Sequence, residues 1–121
     1  MALNKETTNV PYNLGRLFSV LENIQMKANP GINTTIVDKY FNSASATPAT
    51  VFPILLNLSQ KHLKKIGGGL QVVMAKEMQE ILDKLGENFP KRMNLEQQGS
   101  FQLGYYHQKQ AHFQSKKEEV K

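Results

Sequence analysis

The sequence of 121 residues contains no cysteine and no tryptophan. Without cysteine, disulfides and thiolate metal sites are excluded. Polar residues interrupt every apolar run long before it reaches the roughly 20 residues that a membrane-spanning helix needs. The first ten residues, MALNKETTNV, also lack the apolar core of a signal peptide. We therefore expect a cytoplasmic protein that does not contact a membrane.

A strand pattern is also missing, because apolar and polar residues do not alternate over any useful length. Apolar residues instead recur every three or four positions in about five segments, which glycine, proline and asparagine separate. This pattern predicts an all-α fold, an antiparallel bundle of about five helices. We expect a single domain over residues 1–121, with flexible ends at residues 1–11 and 116–121.

The predicted helices span residues 13–28, 34–44, 48–66, 70–85 and 94–115. The expected N-caps are Asn33, Thr47 and Asn94, the last in a capping box with Gln97. The glycines at 67–69 are interpreted as the end of the third helix, and Leu70 as an inward residue of the fourth. The side chains expected in the core are Phe18, Leu21, Phe52, Leu56, Ile81 and Tyr105.

The sequence offers little for catalysis or metal binding. Its three histidines are His62, His107 and His112, and the last two point about 140° apart on a helix. No serine or cysteine nucleophile motif is present, and the glycine run follows a helix and lacks the Lys and Ser/Thr of a phosphate-binding loop. We expect no enzyme activity, no metal and no cofactor.

Positive charge is the main functional signal. The chain has 15 Lys and Arg against 10 Asp and Glu, a net charge of +5, which favours polyanionic partners. The cluster KHLKK projects three lysines away from the apolar stripe of its helix, where either phosphate contact or compensation of the helix dipole explains them. The candidate nucleic-acid contacts are Lys61, Lys64, Lys65, Arg16, Lys39, Lys91, Arg92 and Lys109.

The stretch FQLGYYHQKQ in the fifth helix carries two faces. The aromatic side is predicted to lie in the core, and a stacking platform for bases is the alternative. The residues on this aromatic side are Phe101, Tyr105, Tyr106 and Phe113, with Leu95 and Leu103. Gly104, on the other side, weakens a helix by about 1 kcal/mol relative to alanine, which indicates close approach of a helix, a subunit or a phosphate backbone. We predict a subunit-docking surface at Ser100, Gly104, His107 and Ala111.

Three segments carry a resemblance to a known family: YNLGRLFSVLENIQ, ANPGINTTIVDKYFNSASATPATVFPILLNLSQKHLKK and NLEQQGSFQLGYYHQKQ. In order and spacing they resemble the C-terminal helical domain of the large subunit of the subtype I-C CRISPR Cascade complex. In that family the same region is also made as a separate small subunit by internal translation. A chain that begins at Met1 without the large N-terminal domain is similar to that product.

The resemblance implies a non-catalytic subunit that lines the belly of a crRNA-guided surveillance complex and acts in antiviral defence. It would stabilise the assembly and the displaced DNA strand of the R-loop, while a recruited helicase-nuclease destroys the DNA. The implied partners are backbone subunits, the large subunit, further copies of the chain and the crRNA–target DNA R-loop. A purely structural subunit that bridges proteins without touching nucleic acid is the alternative.

Overall fold

The computed structural model describes residues 3–86 and 89–120, with side chains up to residue 114. This part of the chain forms five helices and no strand: α1 (Val10–Ala28), α2 (Ile36–Ala46), α3 (Pro48–Ile66), α4 (Gly68–Leu85) and α5 (Leu95–Val120). The all-α class and the helix number are thus confirmed. The flexibility predicted for residues 1–11 and 116–121 stays a prediction; residues 1, 2 and 121 and the side chains of 116–120 lie outside the described residues.

Helix α1 lies at the centre of the fold and contacts each of the other four helices, α5 most extensively. It begins earlier than predicted because Asn9 caps it: the Asn9 side chain accepts a hydrogen bond from the Tyr12 N–H, 2.9 Å away, and Pro11 lies in the first turn. Residues 13–22 are buried without interruption. A helix surrounded in this way buries its polar positions together with its apolar ones.

The core is one cluster that all five helices supply. Aromatic edges meet at its centre, where the Phe18 ring lies within 6.5 Å, centroid to centroid, of four other rings: Phe41, Phe52, Phe101 and Tyr105. Five of the six predicted core residues are buried, and Leu56 is partly buried against the cluster. The apolar periodicity therefore identified these six core positions.

Helix α2 begins at a different cap from the one predicted. Thr35, and not Asn33, is the N-cap: its side chain accepts from the Val37 N–H, while the Asp38 carboxylate accepts from the Thr35 N–H at 2.9 Å. Asp38 at the third helical position completes this capping box, and no such partner follows Asn33 at the matching position. The prediction of Asn33 as cap is wrong for this reason.

The junction between α3 and α4 is tighter than predicted. Gly67 alone separates the two helices, with a φ of 66°, and Gly68 and Gly69 already belong to α4. Thr47 does not cap α3 with its side chain, because its hydroxyl donates to the Ser43 carbonyl oxygen instead. Leu70 is 48% exposed, so its predicted inward position is wrong, whereas four of the other predicted inward positions of α4 are buried: Met74, Met78, Ile81 and Leu85.

The loop before α5 is fixed to the corner between α2 and α3. The Ala49 N–H donates to the Pro90 carbonyl oxygen at 3.0 Å, and the Met93 N–H donates to the Ala46 carbonyl oxygen at 2.9 Å. The capping box predicted for α5 is confirmed: Asn94 Oδ1 accepts from the Gln97 N–H, and Gln97 Oε1 accepts from the Asn94 N–H, each at 2.8 Å.

The predicted aromatic side of α5 is only partly correct. Phe101 and Tyr105 are buried, but four residues assigned to the same side are exposed: Leu95, Leu103, Tyr106 and Phe113. The buried positions of this helix follow the spacing Phe101, Gly104, Tyr105 and Gln108, which is one narrow face. Tyr106 lies about 100° beyond Tyr105 around the helix and therefore turns away from α1.

Candidate nucleic-acid interface

Three of the predicted contact residues lie together on the outer face of α3. Lys61, Lys64 and Lys65 are exposed, while Leu63 between them is buried. Their spacing places the three cations within about 100° of one another around the helix. Helix α3 contains no Asp or Glu, so no carboxylate of the helix itself reduces this positive charge.

The end of α1 lies beside the end of α3. The Lys65 Nζ donates to Asn29 Oδ1 at 2.6 Å, and the Asn29 Nδ2 lies 3.5 Å from the His62 Nδ1. This contact brings the last turn of α1, with its exposed Lys27, to the three lysines of α3. The sequence reasoning missed Lys27, although a lysine in the last turn before the NPG break is the same signal that identified the KHLKK cluster.

The first turn of α2 is held at the same end of the molecule. Gln25 Oε1 of α1 accepts from the Ile36 N–H at 2.8 Å, and this places the exposed Lys39, one turn further along α2, near the end of α1. We define the basic end as five exposed lysines: Lys27, Lys39, Lys61, Lys64 and Lys65. None of them forms an ion pair within the part of the chain that the structure describes.

His62 lies beside Lys65 at this end of the molecule. Partial burial lowers the pKa of His62, and the neighbouring charge of Lys65 lowers it further. The imidazole is therefore neutral near pH 7, and the positive charge of the basic end comes from its lysines. An anion bound there would favour protonation of His62, because a nearby negative charge stabilises the charged imidazolium.

Lys91 and Arg92 are exposed but lie elsewhere. Their loop is bonded to Ala46, at the end of α2, and to Ala49, at the start of α3, whereas Lys64 is near the end of α3. At 1.5 Å per residue, these positions are separated by about 24 Å along the helix axis. The structure therefore does not bring Lys91 and Arg92 to the basic end.

Arg16 was predicted to contact nucleic acid, and the structure contradicts this. The residue is 5% exposed; its Nε donates to Gln108 Oε1 and its Nη1 donates to Asn13 Oδ1, both at 3.1 Å. Desolvation lowers the pKa of the guanidinium, while Tyr12, Glu77 and Glu80 oppose this effect. Arg16 joins α1 to α5 and is unavailable to a phosphate in this conformation.

Lys109 is only partly free. Its Nζ lies 3.6 Å from Glu22 Oε1 and donates to the Tyr105 hydroxyl at 3.1 Å. Glu22 is 6% exposed and also accepts from the Tyr105 hydroxyl at 2.7 Å. Burial first, and then the Glu22 hydrogen bond, raise the pKa of Tyr105. Because Lys109 balances a buried carboxylate, contact with a phosphate would compete with an internal ion pair.

Among the residues of the predicted docking surface on α5, Gly104 differs most from its predicted position. Gly104 is buried against α1, and a Cβ added there would overlap the carbonyl oxygen of Tyr12. His107 also faces α1, since its Nδ1 and the Tyr12 hydroxyl form a hydrogen bond of 2.6 Å. Ser100 and Ala111 are partly buried. The close approach that Gly104 permits is therefore made by α1, and the prediction of Gly104 as a residue that meets a neighbouring subunit is corrected.

Two searches of the described residues give no candidate. No group of three or more His, Asp or Glu side chains within this part of the chain could hold a metal ion. Likewise, none of the described helices is both long and apolar enough to cross a membrane.

No curated protein matches the sequence. A family does match: residues 1–113 fit the description CRISPR-associated protein (Cas_Csd1). The match covers α1 to α4 and most of α5, including the whole basic end. By this match over nearly its full length, the chain belongs to the CRISPR-associated protein family Cas_Csd1.

Proposed function

We propose that this chain is a non-catalytic small subunit of a crRNA-guided type I-C Cascade complex, in which it stabilises the assembly and the displaced DNA strand of the R-loop in the cytoplasm. Membership of a CRISPR-associated family supports a role in an effector complex. The finer assignment rests on the resemblance of the α1, α2–α3 and α5 segments to the C-terminal helical domain of the subtype I-C large subunit.

The basic end is the observation that carries the nucleic-acid role. It presents five lysines from three helices without an ion pair among the described residues. Such a surface attracts a phosphate backbone but offers no arrangement for reading base edges. In an RNA-guided complex, sequence is read by base pairing, so a subunit that supplies charge and shape is sufficient.

The purely structural alternative is favoured by one feature of the same region. Lys27, Lys64 and Lys65 lie in the last turns of α1 and α3, where cations stabilise a helix through its dipole. If this were their whole role, the subunit would bridge its protein neighbours without contacting DNA. The two functions differ in how target binding depends on salt.

The experiment replaces Lys61, Lys64 and Lys65 with alanine in the assembled, target-bound complex. A control variant replaces Lys5, Lys76 and Lys84, which are also exposed, carry the same total charge and lie outside the basic end. Each phosphate contact to a single strand contributes about 0.7 to the slope of log affinity against log salt. We expect the basic-end variant to lower this slope by about 2 and the control to leave it unchanged.

Assembly provides the second measurement. The three lysines lie outside the core, so both variants should enter the complex as the original chain does. A normally assembled basic-end variant with an unchanged salt slope would support the structural alternative. Adding Lys27→Ala should lower the slope further if the last turn of α1 belongs to the same phosphate path.

A further inference from the structure

Two aromatic rings lie on the outer face of α5, outside the core. Tyr106 and Phe113 are each 57% exposed, and neither contributes to the core cluster. Being seven residues apart, they lie about 20° from each other around the helix and about 10 Å apart along its axis. The rings therefore form one stripe that points away from α1.

The Tyr106 ring is braced from within the protein. Its edge-to-face contact with Tyr105 has a centroid distance of 5.2 Å, and Tyr105 is itself fixed by the hydrogen bond to Glu22. A ring that is already oriented loses less freedom when a ligand stacks on it. An exposed but fixed aromatic ring is well suited to binding a flat partner.

The surroundings of the rings are polar except for Leu103, which is 48% exposed one turn before Tyr106. The exposed neighbours Gln102, Gln110 and Gln114 carry amides that can donate to and accept from base edges. No Asp or Glu occurs between Glu96 and Glu118. Among the described side chains, Glu22 and Glu77 bring carboxylates to this helix, and they contact its inner side, Glu22 at Tyr105 and Glu77 at His112. A phosphate backbone would therefore meet no carboxylate of α5 along this stripe.

We propose that Tyr106 and Phe113 form a stacking site for the bases of a single-stranded nucleic acid, with the neighbouring glutamine amides as adaptable hydrogen-bond partners. Stacking on aromatic rings accepts every base, so the site needs no sequence preference. This goes beyond the proposed function, which concerns phosphate contacts at the basic end. The site stands on other residues of another helix and does not depend on those contacts.

The absence of tryptophan from the chain makes a direct test possible. Tyr106→Trp and Phe113→Trp each introduce a single fluorescent reporter at the site. The probes are an oligothymidine of about 16 nucleotides, near the upper size for one binding module, and an abasic oligonucleotide of the same length. We expect oligothymidine to quench the tryptophan emission and the abasic oligonucleotide to leave it unchanged. Equal quenching by both, or none by either, would overturn the proposal.

Affinity gives an independent measurement on the full chain. Tyr106→Ala and Phe113→Ala should each weaken oligothymidine binding about tenfold, as expected for loss of one stacking ring, without changing the salt slope. Tyr106→Phe should retain the affinity because it keeps the ring. Leu95→Ala is the control, since Leu95 is 84% exposed on the same helix but has no ring; an equal loss in this variant would contradict stacking.

The two proposals fail separately. A lower salt slope in the lysine variant with unchanged affinity in the ring variants would retain the phosphate contacts and refute the stacking site. The reverse result would retain stacking and refute the role of the basic end. Both rings lie outside the core, so the urea midpoint of each variant should remain that of the original chain and exclude unfolding as the cause.

Discussion

Two groups of glycines occupy contrasting parts of this protein. Gly15 of α1 and Gly104 of α5 lie where the two helices touch: a Cβ at Gly15 would overlap the Phe101 carbonyl oxygen, and one at Gly104 would overlap that of Tyr12. Around the α3–α4 junction, by contrast, a Cβ at Gly68 or Gly69 would meet no atom within 4 Å. Gly15 and Gly104 allow two helices to touch, whereas the glycines of the α3–α4 junction lie where the chain turns at the surface.

The surroundings of the two groups differ in the same way. The α1–α5 contact contains buried polar pairs, with Arg16 bonded to Gln108 and Glu22 bonded to Tyr105. The first turns of α4, beyond the α3–α4 junction, expose Val72 and Val73 by 67% and 64%. Close helix packing is therefore concentrated between α1 and α5, whereas the α3–α4 junction has space for an added side chain.

The largest effect is expected from an added methyl group at the helix contact. Gly104→Ala or Gly15→Ala forces a Cβ against a backbone carbonyl, so the helices must separate and the surrounding core must shift. Overpacking of this kind typically costs 1–3 kcal/mol, and because rigid backbone is involved we expect about 3 kcal/mol in urea unfolding.

Gly99→Ala is the matched control on the same helix. Nothing lies within 4 Å of a Cβ at Gly99, so the better helix propensity of alanine should stabilise the protein by up to about 1 kcal/mol. A Gly104→Ala variant as stable as Gly99→Ala would show that α1 and α5 do not touch at this point.

The second prediction concerns the buried polar pairs of the same contact. Tyr105→Phe keeps the ring in the core but removes the hydroxyl that donates to the Glu22 carboxylate. A buried hydrogen bond to a charged group contributes about 2 kcal/mol, and we expect a loss of that size in the free energy of unfolding. The neighbouring Tyr106→Phe removes an exposed hydroxyl and should change stability by less than about 0.5 kcal/mol. Equal effects of the two variants would be evidence against a buried Glu22–Tyr105 bond.

Local signals in the sequence predicted a large part of this fold. The three- and four-residue spacing of apolar positions defined the helices, and Asn94 with Gln97 predicted the start of α5 because a capping box depends only on residues close in sequence. The cap of α2 was assigned to Asn33, two residues too early. Thr35 is the cap, and not Asn33, because Asp38 lies three residues after Thr35, where it completes the capping box.

Features that depend on neighbouring helices could not be predicted in this way. Asn13, Arg16, Ser19 and Glu22 are spaced by three and look like the polar face of α1, yet all are buried because other helices surround α1. The same limit explains why Gly104 was placed on an outer face. For the candidate site, charge and helix projection predicted the exposure of Lys61, Lys64 and Lys65, but only the Asn29 contacts reveal that Lys27 lies beside them.

The smallest effect is expected at the α3–α4 junction, where the backbone angle and not packing should decide the outcome. Gly69 has an ordinary φ, so Gly69→Ala should be neutral or stabilising by up to about 1 kcal/mol. Gly67 has a φ of 66° and a ψ of 177°, a backbone region that essentially only glycine adopts, so Gly67→Ala should cost at least about 1 kcal/mol. Urea unfolding of both variants measures the difference.

The junction directly follows the lysines of α3, but Gly69→Ala does not change the charge, so the salt slope of DNA binding should also remain unchanged. A Gly69→Ala loss as large as that of Gly104→Ala would mean that the junction, too, is closely packed, and the contrast between the two groups of glycines would no longer hold.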